Sequence, residues 1–329
     1  MVQRGFDVIT IGAATIDAFV WAKEFREVKS RVFPTGVGEC FSLGSKIDID
    51  KFVQTTGGGA TNCAATFANF KLKTACVTRV GDDLFGEGIV RDLKRHGIGT
   101  DLVMVVKDER TAFSTILVVP SGERTVLVYR GASERFDPAE IAWPKLKTKW
   151  FYVTNLAGNL AMLERIVKTA KRAKAQVLYN PGKADIRRGI GHLRTLLGGV
   201  AVLDLNREEA AELTGKPLGE VKEMLRGLQK ITRGIVLLTD GDRGGYYFDG
   251  KRMLFAKPRD IKALNRTGAG DAFGSGFLVG WMKKKEPVFA LQLGTENAEG
   301  VIQKIGAKAG LLTDMPSVKT LAQVKVKVI

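Results

Sequence analysis

Gly268-Ala269-Gly270-Asp271 is the stretch of this chain whose residue types and spacing best suit chemistry. The polar residues Asn265, Arg266 and Thr267 precede it. Phe273, Phe277 and Trp281 follow at i, i+4 and i+8, the spacing of one helix face. The small residues therefore stand at a helix start, where the first backbone N–H groups lack an intrahelical partner and the dipole is positive. Side chains this small let an anion reach the backbone, so the turn is a candidate phosphate seat. A carboxylate at Asp271 would repel a phosphate, but it is well placed to take a proton from a hydroxyl that attacks one. A plainer account also fits: Asp in a first turn is favoured by the dipole alone, and Gly at a loop–helix junction is common punctuation. The chemical account requires a hydroxyl-binding site and a metal site elsewhere in the chain.

Candidates for both are present. Asp17 follows the apolar run Val8-Ile9-Thr10-Ile11-Gly12, which reads as a buried parallel strand. A polar residue just beyond such a strand lies where open α/β sheets bind ligands; a helix cap or loop charge is the alternative. Gly57-Gly58-Gly59 opens a helix expected over 60–70 and lets a ligand approach the backbone, while the Asn62 amide can donate to and accept from sugar hydroxyls. Gly57, Gly59 and Asn62 nearly spell a dinucleotide loop. That reading is set aside because the loop does not directly follow the first strand and no acidic residue ends a second strand at the right spacing. Asn206 and Glu209, three apart, can hold Mg²⁺ through its waters, but the same pair is also a capping box. Thr239-Asp240-Gly241-Asp242-Arg243-Gly244 follows a buried strand and reads as a hairpin turn or one wall of a nucleotide pocket.

The elements that must position these residues alternate. Strands are expected at 74–81, 150–154, 176–179, 199–203 and 234–238, with helices at 160–174, 186–197 and 218–231 between the later ones. Such alternation implies a parallel sheet with right-handed crossovers. Asn155, Asn180, Asn206 and Thr239 then fall along one sheet edge. Two strand-rich stretches interrupt the rhythm, 31–56 and the hairpin 111–130, and could pair into a small sheet over the ligand site. Arg130, at the end of the second, is either a contact for an anionic substrate group or a surface charge. A last helix is expected over 288–305 and carries Asn297; the tail 323–329 shows no chemistry of its own.

Composition narrows the classes. With 45% hydrophobic and 26% charged residues among 329, the chain can bury a large core. Cys40, Cys63 and Cys76 are odd in number and lack CxxC spacing, against a disulfide framework or zinc site and for a reducing cytosol. The first residues lack a signal-peptide layout, and no long apolar run suggests a membrane span. The net charge of +16 invites nucleic acid, but the basic clusters are scattered and not interleaved with aromatics. His96 and His192, the only histidines, both sit in helical contexts, which leaves nucleophilic triads without support.

No Walker loop occurs, so ATP would have to be bound by another design. From about residue 6 to 316 the chain resembles the ribokinase (PfkB) family of small-molecule kinases. The resemblance rests on an ordered set: Asp17; Gly57-Gly58 and Asn62; Val80-Gly81-Asp82-Asp83 and Gly86; Asn206 and Glu209; Thr239, Gly241, Arg243 and Gly244; and Thr267-Gly268-Ala269-Gly270-Asp271. It implies one α/β domain over 1–329, a ribokinase-like three-layer α/β/α sandwich with a mostly parallel sheet and a small β-sheet lid, which in many members also makes a dimer interface. It implies an ATP- and Mg²⁺-dependent kinase for a hydroxymethyl of a sugar or sugar acid, a nucleoside kinase or a ligand sensor being the alternatives. Asp17, Gly57, Gly58 and Asn62 would hold the substrate, Gly268, Ala269 and Gly270 the transferred phosphoryl group, and Asp271 would be the general base. Asn206 and Glu209 would place Mg²⁺, and Thr239, Gly241, Gly244 and Asn297 would border ATP. Phe19, Trp21, Phe41 and Phe113 could stack a nucleoside base or form the lid core. The chain departs from the pattern at Asn265, where the family usually has an Asp that helps bind a monovalent cation, at Arg266, and near Asn155, where ribokinases carry an acidic ligand.

Overall fold

Alternation along the strands sorts the core into two layers. In Thr148–Val153, Trp150 and Tyr152 face one side of the sheet, and Phe151 and Val153 the other. The computed structural model describes residues 5–33 and 35–329; residues 1–4 of the expected domain and Pro34 of the expected first lid stretch lie outside them.

In chain order, β1 (Phe6–Ile11), β2 (Thr15–Trp21), β3 (Arg26–Lys29), β4 (Val37–Cys40) and β5 (Lys51–Gly57) lead to α1 (Gly59–Asn69). Next come β6 (Thr74–Gly81), α2 (Leu84–Arg95), β7 (Val103–Val106), β8 (Ala112–Val118) and β9 (Arg124–Tyr129). The rhythm then runs β10 (Thr148–Val153), α3 (Leu160–Ala173), β11 (Gln176–Tyr179), α4 (Lys183–Ile186), α5 (Gly189–Leu197), β12 (Val202–Asn206), α6 (Arg207–Thr214), α7 (Val221–Thr232) and β13 (Ile235–Thr239). It closes with β14 (Gly245–Phe248), β15 (Met253–Lys257), α8 (Ala269–Lys284), α9 (Pro287–Ile302), α10 (Val318–Leu321) and β16 (Lys325–Val328).

The main sheet has the order β16-β15-β14-β13-β12-β11-β10-β1-β6-β7; its strands from β13 to β7 are parallel and the other three antiparallel. Leu163, Ile166, Leu193, Leu225 and Leu228 of α3, α5 and α7 cover one face with Ile9, Ile11, Phe151 and Val153. Phe67 of α1, Phe273 and Phe277 of α8 and Leu291 of α9 cover the other with Val8, Trp150 and Tyr152. Each fully buried side chain of this size contributes roughly 1.5–3 kcal/mol. A separate sheet has the order β5-β2-β8-β9 and holds the strands of the expected lid.

Four expectations need correction. The lid begins at β2, so Asp17 lies inside a lid strand, paired with Thr55 and Ser114, and not in a loop after β1. Residues 41–50 alternate in sequence but form no strand; Phe41 and Leu43 are exposed, and without a partner the alternation organises nothing. The strand expected at 199–203 runs over Val202–Asn206, in register with β11 and β13. The helix expected over 186–197 breaks before Gly189, whose φ of 80° is left-handed. The tail, of which no chemistry is expected, adds the edge strand β16.

Candidate active site

The turn before α8 takes its shape from local chemistry. Gly268 caps the helix at φ 79°, and a Cβ there would lie 2.4 Å from Cβ of Ala307, so only glycine fits. Gly270 is exposed, and a Cβ on it would meet nothing within 4 Å. Packing within the protein therefore does not require glycine at Gly270; its smallness leaves open the space in front of the helix. Among the described residues nothing accepts from the backbone amides of Gly270 and Asp271, whereas Ala269 donates to Arg266 O and Ala272 to Gly268 O. Asn265 shapes the approach: its Oδ1 accepts from the Thr267 amide at 2.5 Å.

Asp271 is half-buried at the third position of α8, and its Oδ2 accepts from Asn62 Nδ2 at 2.8 Å. This contact joins residues 209 positions apart. Asn62 is 4% exposed, and its Oδ1 is buried with no partner among the described residues. A buried orphan acceptor is costly, and a donor such as a substrate hydroxyl would satisfy it. Burial pushes the Asp271 carboxyl up from the usual carboxylate range; the Asn62 bond and the charge of Lys308 partly offset this.

Asp17 supplies the second carboxylate from the lid. It sits over Gly57, where a Cβ would come within 2.1 Å of its Oδ2. Burial pushes its carboxyl up to about 6, with the Ser114 hydroxyl and Lys308 pulling down and Asp271 pushing further up. Gly58, at φ 93°, caps α1 with its Cα against Ala13 and Ala14. Asp17, Gly57, Gly58, Asn62 and Asp271 are thus linked by contact from the lid strands to α8.

The other expected residues divide. Asn206 and Glu209 form the capping box: Glu209 N donates to Asn206 Oδ1 at 2.8 Å and Asn206 N to Glu209 Oε2 at 3.0 Å. Glu209 Oε1 takes no part in the two bonds of the box, and burial raises its carboxyl against the pull of the Asn206 amide. Asp204, one strand turn earlier, is buried beside Gly274 and feels the charges of Glu209 and Asp271; burial chiefly drives it well above the usual range. Among the described residues no group of three acidic, His or Cys side chains is placed to hold a metal. A divalent ion here would therefore depend on phosphate oxygens and water, which fits the single carboxylate of Glu209. Thr239 is half-buried at the end of β13, Gly241 is exposed, and Gly244 is buried against Ala256 O. Asn297 is fully buried, donates to Ala272 O at 2.8 Å and accepts from Leu312 N at 2.9 Å, so it braces the first turn of α8. Asp83 caps α2 and holds Thr111 through its backbone and hydroxyl, a structural use of that motif. Arg130 is exposed beyond β9.

Sequence reasoning missed Lys308. Its side chain is 10% exposed and lies between Thr56 and Asp92. A single lysine after a helix end carries no periodic or motif signal, so only the fold reveals it.

Comparisons with known proteins place the chain in one family and fold. The sequence model for pfkB family carbohydrate kinases matches residues 37–314. An uncharacterized sugar kinase of Archaeoglobus fulgidus is 29% identical over 248 residues, 73% of this chain and 95% of that one. Arabidopsis thaliana ribokinase complexed with ribose and ATP superposes with a TM-score of 0.75 at 20% identity, over 97% of this chain and 98% of that one. A putative ribokinase II of E. coli in complex with ATP and Mg²⁺ also gives 0.75, at 16% identity over 93% and 96% of the two chains.

Proposed function

The chain belongs to the PfkB family of carbohydrate kinases, phosphotransferases with an alcohol group as acceptor, and from that premise we propose that it transfers the γ-phosphoryl group of ATP to a hydroxymethyl of a sugar or sugar acid. The observation that carries the reading is the Asn62–Asp271 contact, with the orphaned Asn62 Oδ1 beside it. Asn62 orients the carboxylate with one end of its amide and offers the other to an acceptor hydroxyl. Asp17 holds further hydroxyls from the lid. Asp271 Oδ2 takes the proton of the attacking hydroxyl, and the Gly270 and Asp271 amides face the charge that develops on the transferred group. Phosphoryl transfer asks mainly for positioning and charge neutralisation, which Mg²⁺ would supplement when bound with the nucleotide. Glu209 would touch that ion's water shell, and Thr239, Gly241 and Gly244 would form the nucleotide's border.

The lid, β5-β2-β8-β9, would exclude water from the transfer. In this reading the chain is one kinase domain, cytoplasmic and without a membrane or nucleic-acid partner; no helix among the described residues is long and apolar enough to cross a membrane. A homodimer through the lid accompanies it, because β9 is an edge strand that exposes Leu127, Val128 and Tyr129. Sedimentation equilibrium of wild type against Val128→Lys checks it, with a monomeric wild type as the contrary result. A nucleoside acceptor is the second reading, favoured by the Phe85–Phe113 stack, whose centroids are 5.4 Å apart at the lid margin.

The deciding experiment is ADP release from ATP and Mg²⁺ over a panel of sugars, sugar acids and nucleosides, with Asp271→Ala as control. Turnover on one compound class, lost in the variant, supports the reading and names the acceptor. Equal turnover in the variant would sink the role given to Asp271.

A further inference from the structure

The segment after α9 joins the two halves of the site, and nothing in the mechanism above uses it. Gly306 is at φ 93°, and a Cβ on it would sit 2.8 Å from the Thr55 side chain in β5. The next residue, Ala307, is the one that excludes a side chain at Gly268. Lys308 then sends its ammonium into the lid margin. Its Nζ donates to Thr56 Oγ1 at 2.8 Å and to Asp92 Oδ2 at 3.0 Å, and Thr56 Oγ1 donates to the same Asp92 oxygen at 2.5 Å. Three consecutive residues thus touch the strand leading into Gly57, helix α2 and the phosphate turn.

A lysine in such a place costs desolvation, and its ion pair with Asp92 does not by itself explain retaining a charge there. The ammonium lies in a basin of anions. Asp92 on α2 is its ion-pair partner, the Thr56 it touches is followed by Gly57, against which Asp17 Oδ2 sits, and its charge acts on Asp17, Asp271, the Cys76 thiol on β6 and His96 after α2. Asp271 meets Asn62, Cys63, Tyr152 and Asp204 on its other sides.

We infer that Lys308 is a positioning residue of the transfer site, a buried cation that clasps the lid strand β5 to the phosphate turn and serves as the fixed counter-charge of Asp17 and Asp271. The inference rests on the kinase reading only for its kinetic consequence; its electrostatic part can be measured on the protein without turnover. Lys308 acts through the carboxylates and the strand, not on the reacting atoms.

The test is the pair Lys308→Met and Lys308→Arg, followed by carboxyl NMR titration of Asp17 and Asp271 and by kcat/KM against pH for an acceptor found in the panel. Removing a nearby positive charge makes a carboxyl harder to ionise. In Lys308→Met both midpoints should therefore rise by about half a unit or more, with the acid limb of kcat/KM moving up alongside. Lys308→Arg, which keeps the charge, should leave both in place. Unmoved midpoints in a folded Lys308→Met overturn the inference, even if activity falls. Should that variant not fold, Asp92→Asn provides the opposite sign: it removes an anion, so the Asp17 midpoint should drop, and a rise or no change overturns the inference. A panel without turnover would count against the kinase reading alone, because the titrations still decide the role of Lys308.

Discussion

The two halves of the site are made by different physics. The turn before α8 is local: Gly268, Ala269, Gly270 and Asp271 are consecutive, and the start of α8 orients their amides. The acceptor half is assembled from a distance. Asp17 reaches its place only because β2 pairs with β5 on one side and β8 on the other. The turn concentrates positive potential without a cationic side chain. The lid-side half buries a carboxylate whose charge is favoured by the Ser114 hydroxyl and Lys308, against a larger cost of burial. A short helix start can thus be read and altered residue by residue, whereas a strand site stands or falls with its neighbours.

The largest effect should come from the residue where the halves meet. Asp271→Ala is expected to lose at least about 10² in kcat while binding ATP nearly as before, checked by steady-state kinetics and nucleotide titration. Intact turnover would remove the catalytic half of the comparison.

Asp17→Asn should act on the acceptor side alone, raising acceptor KM by at least about tenfold, since hydrogen bonds to a charged group are worth about 1.5–3 kcal/mol. It should also stabilise the fold. The Asp17 carboxyl rises from 3.8 to about 6 on folding, so between those values the folded state binds a proton that the unfolded state releases. Stability is lost as pH rises through that window, and the penalty, on the order of 3 kcal/mol, is fully present above it. Thermal melts should show the variant more stable near neutral pH and the difference vanishing in acid; equal melting at both would show that the carboxylate is not strained. For wild type, the same shift places loss of acceptor kcat/KM below about pH 6.

Two glycines separate shape from chemistry within the turn. Gly268→Ala should destabilise by about 1–2 kcal/mol from its left-handed backbone, before the contact with Ala307 is counted. Gly270→Ala should melt like wild type yet slow kcat by roughly tenfold, because the methyl group intrudes where the anion sits. Reversed results would mean that the turn is only a helix cap. The smallest effect is expected from the monovalent cation. Asn265 is neutral and its oxygen is held by the Thr267 amide, so turnover should be the same in potassium, sodium and choline buffers.

Much of this was legible in advance for one reason: periodicity and caps are short-range. The strand at 176–179, the start of α3, the hairpin of β8 and β9 and the turn before α8 all appear where the residues indicate. The capping box of Asn206 and Glu209 was also legible, though as structure and ligand in one. Hidden were the features that need a partner: β2 as a lid strand, the lack of a strand over 41–50, the shift of β12 and the strand in the tail.

The sequence by itself determined the alternation that makes a layered α/β fold and the glycine turn that starts α8, since both depend on neighbours a few positions away. The tertiary structure decided that Asn62 holds Asp271, that Asp17 faces the site from a strand, that Asn297 is a brace and that Lys308 enters the site at all. Those outcomes depend on strand register and helix packing between segments up to 252 positions apart, as for Lys308 and Thr56. No local pattern encodes such pairings, because burial and pairing energies are settled only when the whole chain has folded.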